Sequence, residues 1–117
     1  MIRYSDIKKL IEEDKESFIE YILSDYKGQL IFSTSSHNDN EGVIMSILSR
    51  CLKGFKSMND PELYSIFNFE QCLIVTFDIN SEFFLCGITQ PTQPLGLIKH
   101  YVSQKKDKIV KYIEDLY

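Results

Sequence analysis

The sequence predicts a single α+β domain in the order helix, two strands, helix, three strands, helix. Three observations carry this reading. Apolar residues recur at helical spacing near the start, in the middle and at the end of the chain. Between the first two of these stretches lie two β-rich runs joined by a glycine-containing turn, the pattern of a hairpin. Between the last two lie three further runs joined by short polar turns, the pattern of an antiparallel meander. The 117 residues, 13.7 kDa in all, form one domain spanning 1–117, long enough to bury a core without disulfide or metal.

Ser5 and Asp6 open the first helix, Ser5 as a cap and Asp6 at the positive end of the dipole. Ile7, Leu10 and Ile11 mark its buried face, and it is expected to run to about Glu16. Phe18–Ser24 and Gln29–Thr34 read as strands because aromatic and β-branched residues dominate them. Asp25-Tyr26-Lys27-Gly28 joins them, with Gly28 free to take a positive φ. Ser35–Asn40 is wholly polar and reads as a loop, and its end caps a helix from about Asn40 to Ser57, with Glu41 three residues after Asn38 as in a capping box.

That middle helix is the most informative segment. At 100° per residue, Val43, Ile47, Cys51, Ile44, Phe55, Leu48, Leu52 and Met45 cover an arc of roughly 200°. A helix resting on one sheet needs a stripe only a little wider than ~100°, so apolar surface is left over for a partner. Asn59-Asp60-Pro61 ends the helix. Glu62–Phe67 is a more polar strand, whereas Cys72–Phe77 and Phe83–Thr89 are nearly all apolar, as inner strands are. Gly87 marks a site of close backbone approach. After the rigid Gln90–Pro94 connector, the final helix from Leu95 aligns Leu95, Ile98, Val102, Ile109, Ile113 and Leu116 on one side, with Lys99, Lys105, Lys106, Lys108 and Lys111 on the exposed side.

The formal net charge of −4 argues against nucleic-acid binding, which lives on contacts between basic side chains and phosphate. Residues 95–117 carry +2, leaving −6 on the rest. The N-terminus turns charged at once and the longest apolar runs fall far short of the ~20 residues of a membrane span, so a cytoplasmic protein without membrane insertion is expected. Cys51, Cys72 and Cys86 are too dispersed for a C-x-x-C motif and sit in apolar segments, where a thiol behaves as a small hydrophobe. His37 and His100 do not make a zinc site, and the His37–Glu41 stretch lacks calcium-loop spacing. No glycine motif for a nucleotide phosphate occurs. No catalytic, cofactor or metal residue is therefore assigned, and a non-enzymatic role is expected.

Ile47-x-x-x-Cys51-Leu52, leading through Asn59-Asp60-Pro61-Glu62-Leu63 into Cys72–Asp78 and Phe83–Ile88, resembles the roadblock / dynein light-chain (LC7-like) family, whose shape is related to longin domains. Asp25-Tyr26-Lys27-Gly28 is similar to that family's first hairpin turn, although the family commonly has a tighter Asp-Gly there. The resemblance implies a five-stranded antiparallel sheet with the middle helix on one face and the terminal helices on the other. It also implies pairing with itself or with a paralogous roadblock-like chain, through an edge strand and the middle helix, to make a platform for a small Ras-like GTPase. The residues assigned to that contact are Ile44, Met45, Leu48, Leu52 and Phe55 of the helix with Leu63, Tyr64 and Ile66 of the strand. A monomeric longin- or profilin-like binding module in a trafficking or cytoskeletal complex is the alternative.

Overall fold

A computed structural model describes residues 2–27, 29–34, 64–68 and 72–116. The elements are α1 (Tyr4–Glu12), β1 (Glu20–Asp25), β2 (Leu30–Ser33), β3 (Tyr64–Asn68), β4 (Leu73–Ile79), β5 (Phe83–Thr89) and α2 (Leu95–Asp115). The helix expected at about 40–57 and the turn at 59–61 lie outside the described residues.

The strands form one antiparallel sheet in the order β2-β1-β5-β4-β3. The near-continuous apolar runs of β4 and β5 become inner strands because both of their faces are buried. Alternation sorts their side chains. Tyr21, Leu23, Leu73, Val75, Phe77, Phe83 and Leu85 face one way and pack with Ile7 and Ile11 of α1 and Ile98, Val102, Ile109 and Ile113 of α2. On the other face Ile22, Tyr26, Ile74, Phe84 and Cys86 make a second buried cluster. Both terminal helices therefore cover the same face of the sheet.

Two turns use the chemistry the sequence announces. The Asp25 carboxylate accepts the N–H groups of Lys27 and Gln29, each at 2.9 Å, which closes the β1–β2 hairpin. Between β4 and β5, Asn80 and Ser81 both have positive φ (53° and 59°), and Glu82 N–H bonds Ile79 C=O at 3.1 Å, the type I′ pattern. Asp78 accepts the Ser81 N–H at 3.0 Å and the Tyr26 hydroxyl, tying the two hairpin turns together. β4 consequently runs two residues beyond the expected Phe77, to Ile79, and the connection shrinks to a tight turn.

The first helix stops at Glu12 rather than about Glu16. Nothing apolar follows Ile11 to hold another turn against the sheet, and Glu12, Glu13 and Asp14 place negative charge at the negative end of the dipole. Asp14 leaves with φ 53°. The helix also starts one residue before Ser5, with Arg3 at the N-cap position and no side-chain cap.

Lys105 corrects the expected exposed face of the last helix. It is only 4% exposed, and its ammonium donates to the main-chain carbonyls of Glu13 and, at 3.5 Å, Leu10. Those carbonyls lie at the C-terminus of α1, where helical partners run out, so a lysine from one helix caps another. Leu95 and Leu116, expected on the buried stripe, are instead 40% and 37% exposed, Leu95 as the first residue of the helix and Leu116 as its C-cap. Lys105→Met keeps the aliphatic stem but removes the donor; we expect a loss of about 1 kcal/mol, read from the urea midpoint, because part-buried carbonyls lose a charged partner.

Candidate interaction edge

Sheet order leaves two edges. β2 lies at one, with Leu30 44% exposed. β3 lies at the other and pairs only with β4 among the described residues, in the register Tyr64↔Phe77, Ser65↔Thr76, Ile66↔Val75, Phe67↔Ile74 and Asn68↔Leu73. In an antiparallel ladder every second residue turns its N–H and C=O outward, so the outer side of β3 offers main-chain groups to another strand.

Ile66 is the central residue of β3 and is 39% exposed. Directly paired residues share a face, so its partner Val75 places it on the terminal-helix face. The register thus aligns Ile66, expected from the sequence to touch a partner, with the face that α1 and α2 cover. Tyr64 begins the same strand two residues earlier, at a position of the same parity. Ile44, Met45, Leu48, Leu52, Phe55 and Leu63 lie outside the described residues, as do His37 and Cys51.

The described nucleophile candidates are held in unreactive settings. Cys86 is buried between strands with its Sγ 4.0 Å from the Thr76 hydroxyl, and burial pushes its thiol up to about 12. Burial also raises the thiol of the half-buried Cys72. Both are free cysteines. Among the described residues no group of three or more His, Cys, Asp or Glu side chains is placed to hold a metal, and no helix is long and apolar enough to cross a membrane.

Buried hydroxyls set a pH dependence. Burial first, and then hydrogen bonds to Glu16 and Asp78, push the Tyr21 and Tyr26 hydroxyls far above the ordinary tyrosine value of 10.0. In the unfolded chain these groups ionise near that value; in the fold they stay protonated. Their contribution, with that of Cys86, is complete below the unfolded values and is lost as pH rises. Lys105, lowered by burial, acts in the opposite sense, gaining stability as pH climbs toward the ordinary lysine value of 10.5. The four raised groups, Cys72 among them, outnumber the one lowered group, so urea midpoints should fall above about pH 10. Tyr21→Phe should flatten that fall.

What the sequence missed here is Lys105. The signal was available: Ile98, Val102, Lys105, Ile109 and Ile113 step by four, three, four and four residues, so the lysine occupies a place in the apolar stripe.

No protein-family model matches the chain, and no curated protein matches it. Solved structures do. Myxococcus xanthus MglB superposes with a TM-score of 0.80 at 17% identity, over 100% of this chain and 96% of that one. An MglB with a tetrameric arrangement gives 0.76 at 12% identity, over 97% and 92%. A roadblock/LC7 domain from Streptomyces avermitilis gives 0.70 at 9% identity, over 92% and 93%. Likeness at such low identity speaks to the path of the backbone and the pairing of strands, and on those grounds the chain has the roadblock/LC7 fold.

Proposed function

We propose that this chain is a non-enzymatic adaptor that dimerises and binds or regulates a small Ras-like GTPase. The observation that carries the reading is β3, an edge strand whose central Ile66 is exposed in a sheet of roadblock/LC7 shape. An edge strand with an exposed aliphatic residue invites another strand, and natural sheets usually blunt such an edge with charge or proline. The sequence of β3, Tyr64–Asn68, contains neither. The tetrameric arrangement of one similar MglB supports self-association, and the roadblock resemblance supports the GTPase partner. The reading keeps the full order α-β-β-α-β-β-β-α with a five-stranded sheet.

Two β3 strands pairing antiparallel about their centre bring Ile66 opposite the second copy's Ile66, on one face of the joined sheet. Directly opposed residues stand about 5 Å apart at Cα, within the Cα separation a disulfide spans. Mild oxidation of Ile66→Cys should therefore give a covalent dimer on a non-reducing gel, while Leu30→Cys at the other edge should not. A pull-down against small GTPases loaded with GDP or a GTP analogue tests the second half. Retention of one nucleotide state over the other supports regulation, and retention of neither removes the GTPase from the reading.

A further inference from the structure

On the terminal-helix face, α2 lies over β4 and β5 and leaves an open groove on its outer flank. Its described floor is Phe77 of β4, the strand that pairs with β3. Its wall is a single stripe of α2, where Gly96, Lys99, His100, Ser103 and Lys106 follow one another at helical spacing until Asp107 closes the far end. At 1.5 Å per residue the stripe is about 16 Å long, enough for a helical or extended segment of several residues.

The charge of this wall is out of character with the chain. The protein carries 17 acidic residues, yet none occurs between Glu82 and Asp107, whereas Lys99, His100, Lys105 and Lys106 all do. Lys105 caps α1; Lys99, His100 and Lys106 line the groove. Lys106 is set over the aromatic floor, its ammonium 5.8 Å from the Phe77 ring centre, and it reaches Asp107 at 3.4 Å. His100 leans on Tyr101 with ring centres 5.7 Å apart. A Cβ at Gly96 would meet nothing within 4 Å, so that end of the wall is open. An aromatic floor under a wall that is basic as far as its closing Asp107 matches a segment that brings carboxylates on its rim and an apolar side chain at its centre.

From this we infer that the groove between α2 and the β3–β4 side of the sheet is a docking site for an acidic peptide segment of a partner protein. It is separate from pairing at β3 and does not depend on it. Electrostatic attraction orients the segment and sets its rate of encounter, and the floor supplies contact area.

Panning a random-peptide phage library against the wild-type protein tests this directly. The selected peptides should be enriched in Asp and Glu around an aromatic or aliphatic residue. The best of them, synthesised with a fluorescent label, should bind at least about tenfold more weakly to Lys99→Glu/Lys106→Glu. Gly96→Trp, which fills the groove from an open position without changing charge, should weaken binding as much. Lys108→Glu/Lys111→Glu, on exposed helix positions outside the described groove lining, should bind as wild type does after allowance for overall charge, set by repeating the titration at high salt. Selected peptides without acidic enrichment, or equal binding to the Gly96→Trp variant, would overturn the proposal. So would co-sedimentation of the wild type, but not Lys99→Glu/Lys106→Glu, with phosphatidylserine vesicles in the absence of any acidic peptide preference, because the groove would then read lipid.

Discussion

Gly87→Val is expected to cost this protein more than any other single exchange proposed here, about 3 kcal/mol or more of folding stability, enough to unfold much of a marginal domain. Gly87 sits in the middle of β5, paired with Tyr21 on one side and Val75 on the other, directly beneath α2. A Cβ there would lie 2.3 Å from Val102 Cγ2 and 3.4 Å from Ile19 Cγ2. Val102 is fully buried, and its β-branched side chain has one strongly preferred rotamer in a helix, so it has nowhere to swing. Either α2 lifts from the sheet, exposing Ile98 and Ile109, or the strand bends and loses ladder bonds. Gly87→Ala should cost about 2 kcal/mol by the same clash. Pairing Gly87→Ala with Val102→Ala removes the offending methyl and should cost less than the two single exchanges summed, a coupling that denaturation midpoints would read.

Ile66→Lys should have the largest effect on assembly while leaving the fold almost untouched. The side chain is 39% exposed on an edge strand, so the exchange alters little in one copy. In a pair joined antiparallel about the centre of β3, it removes two apolar side chains from the axis and sets two ammonium groups against each other. A dissociation constant raised about a hundredfold, or nearly 3 kcal/mol, is the expected result from sedimentation equilibrium. Leu30→Lys, an equivalent exposed aliphatic position on β2, should change it little.

These two residues also mark what the sequence could and could not convey. Gly87 was legible as a close approach because a lone glycine inside an apolar strand has few other reasons to be there. The inner strands were legible too, since the apolar runs at 72–77 and 83–89 left them no solvent face, and Phe83–Thr89 agrees with the observed β5 residue for residue. The face occupied by Ile66 was not legible. Alternation fixes which residues of a strand share a side, but only pairing with a strand of known orientation decides which side that is. Lys105 was misread for a related reason. Lysine usually marks solvent, and only the approach of Leu10 and Glu13 carbonyls, distant in sequence, makes its burial favourable. The end of α1 was overrun because propensity favours continuing through Glu12-Glu13-Asp14-Lys15-Glu16, while the helix dipole and the lack of an apolar anchor favour stopping.

The central claim is that this chain works as a pair joined along β3, and the molar mass in solution tests it most directly. Size-exclusion chromatography with light scattering at micromolar concentration should give twice 13.7 kDa for the wild type. Ile66→Lys under the same conditions should give a single 13.7 kDa species with an unchanged far-ultraviolet circular dichroism spectrum. A wild type that stays at 13.7 kDa across the accessible concentration range, with its fold intact, would contradict the account and turn attention to a monomeric binding module.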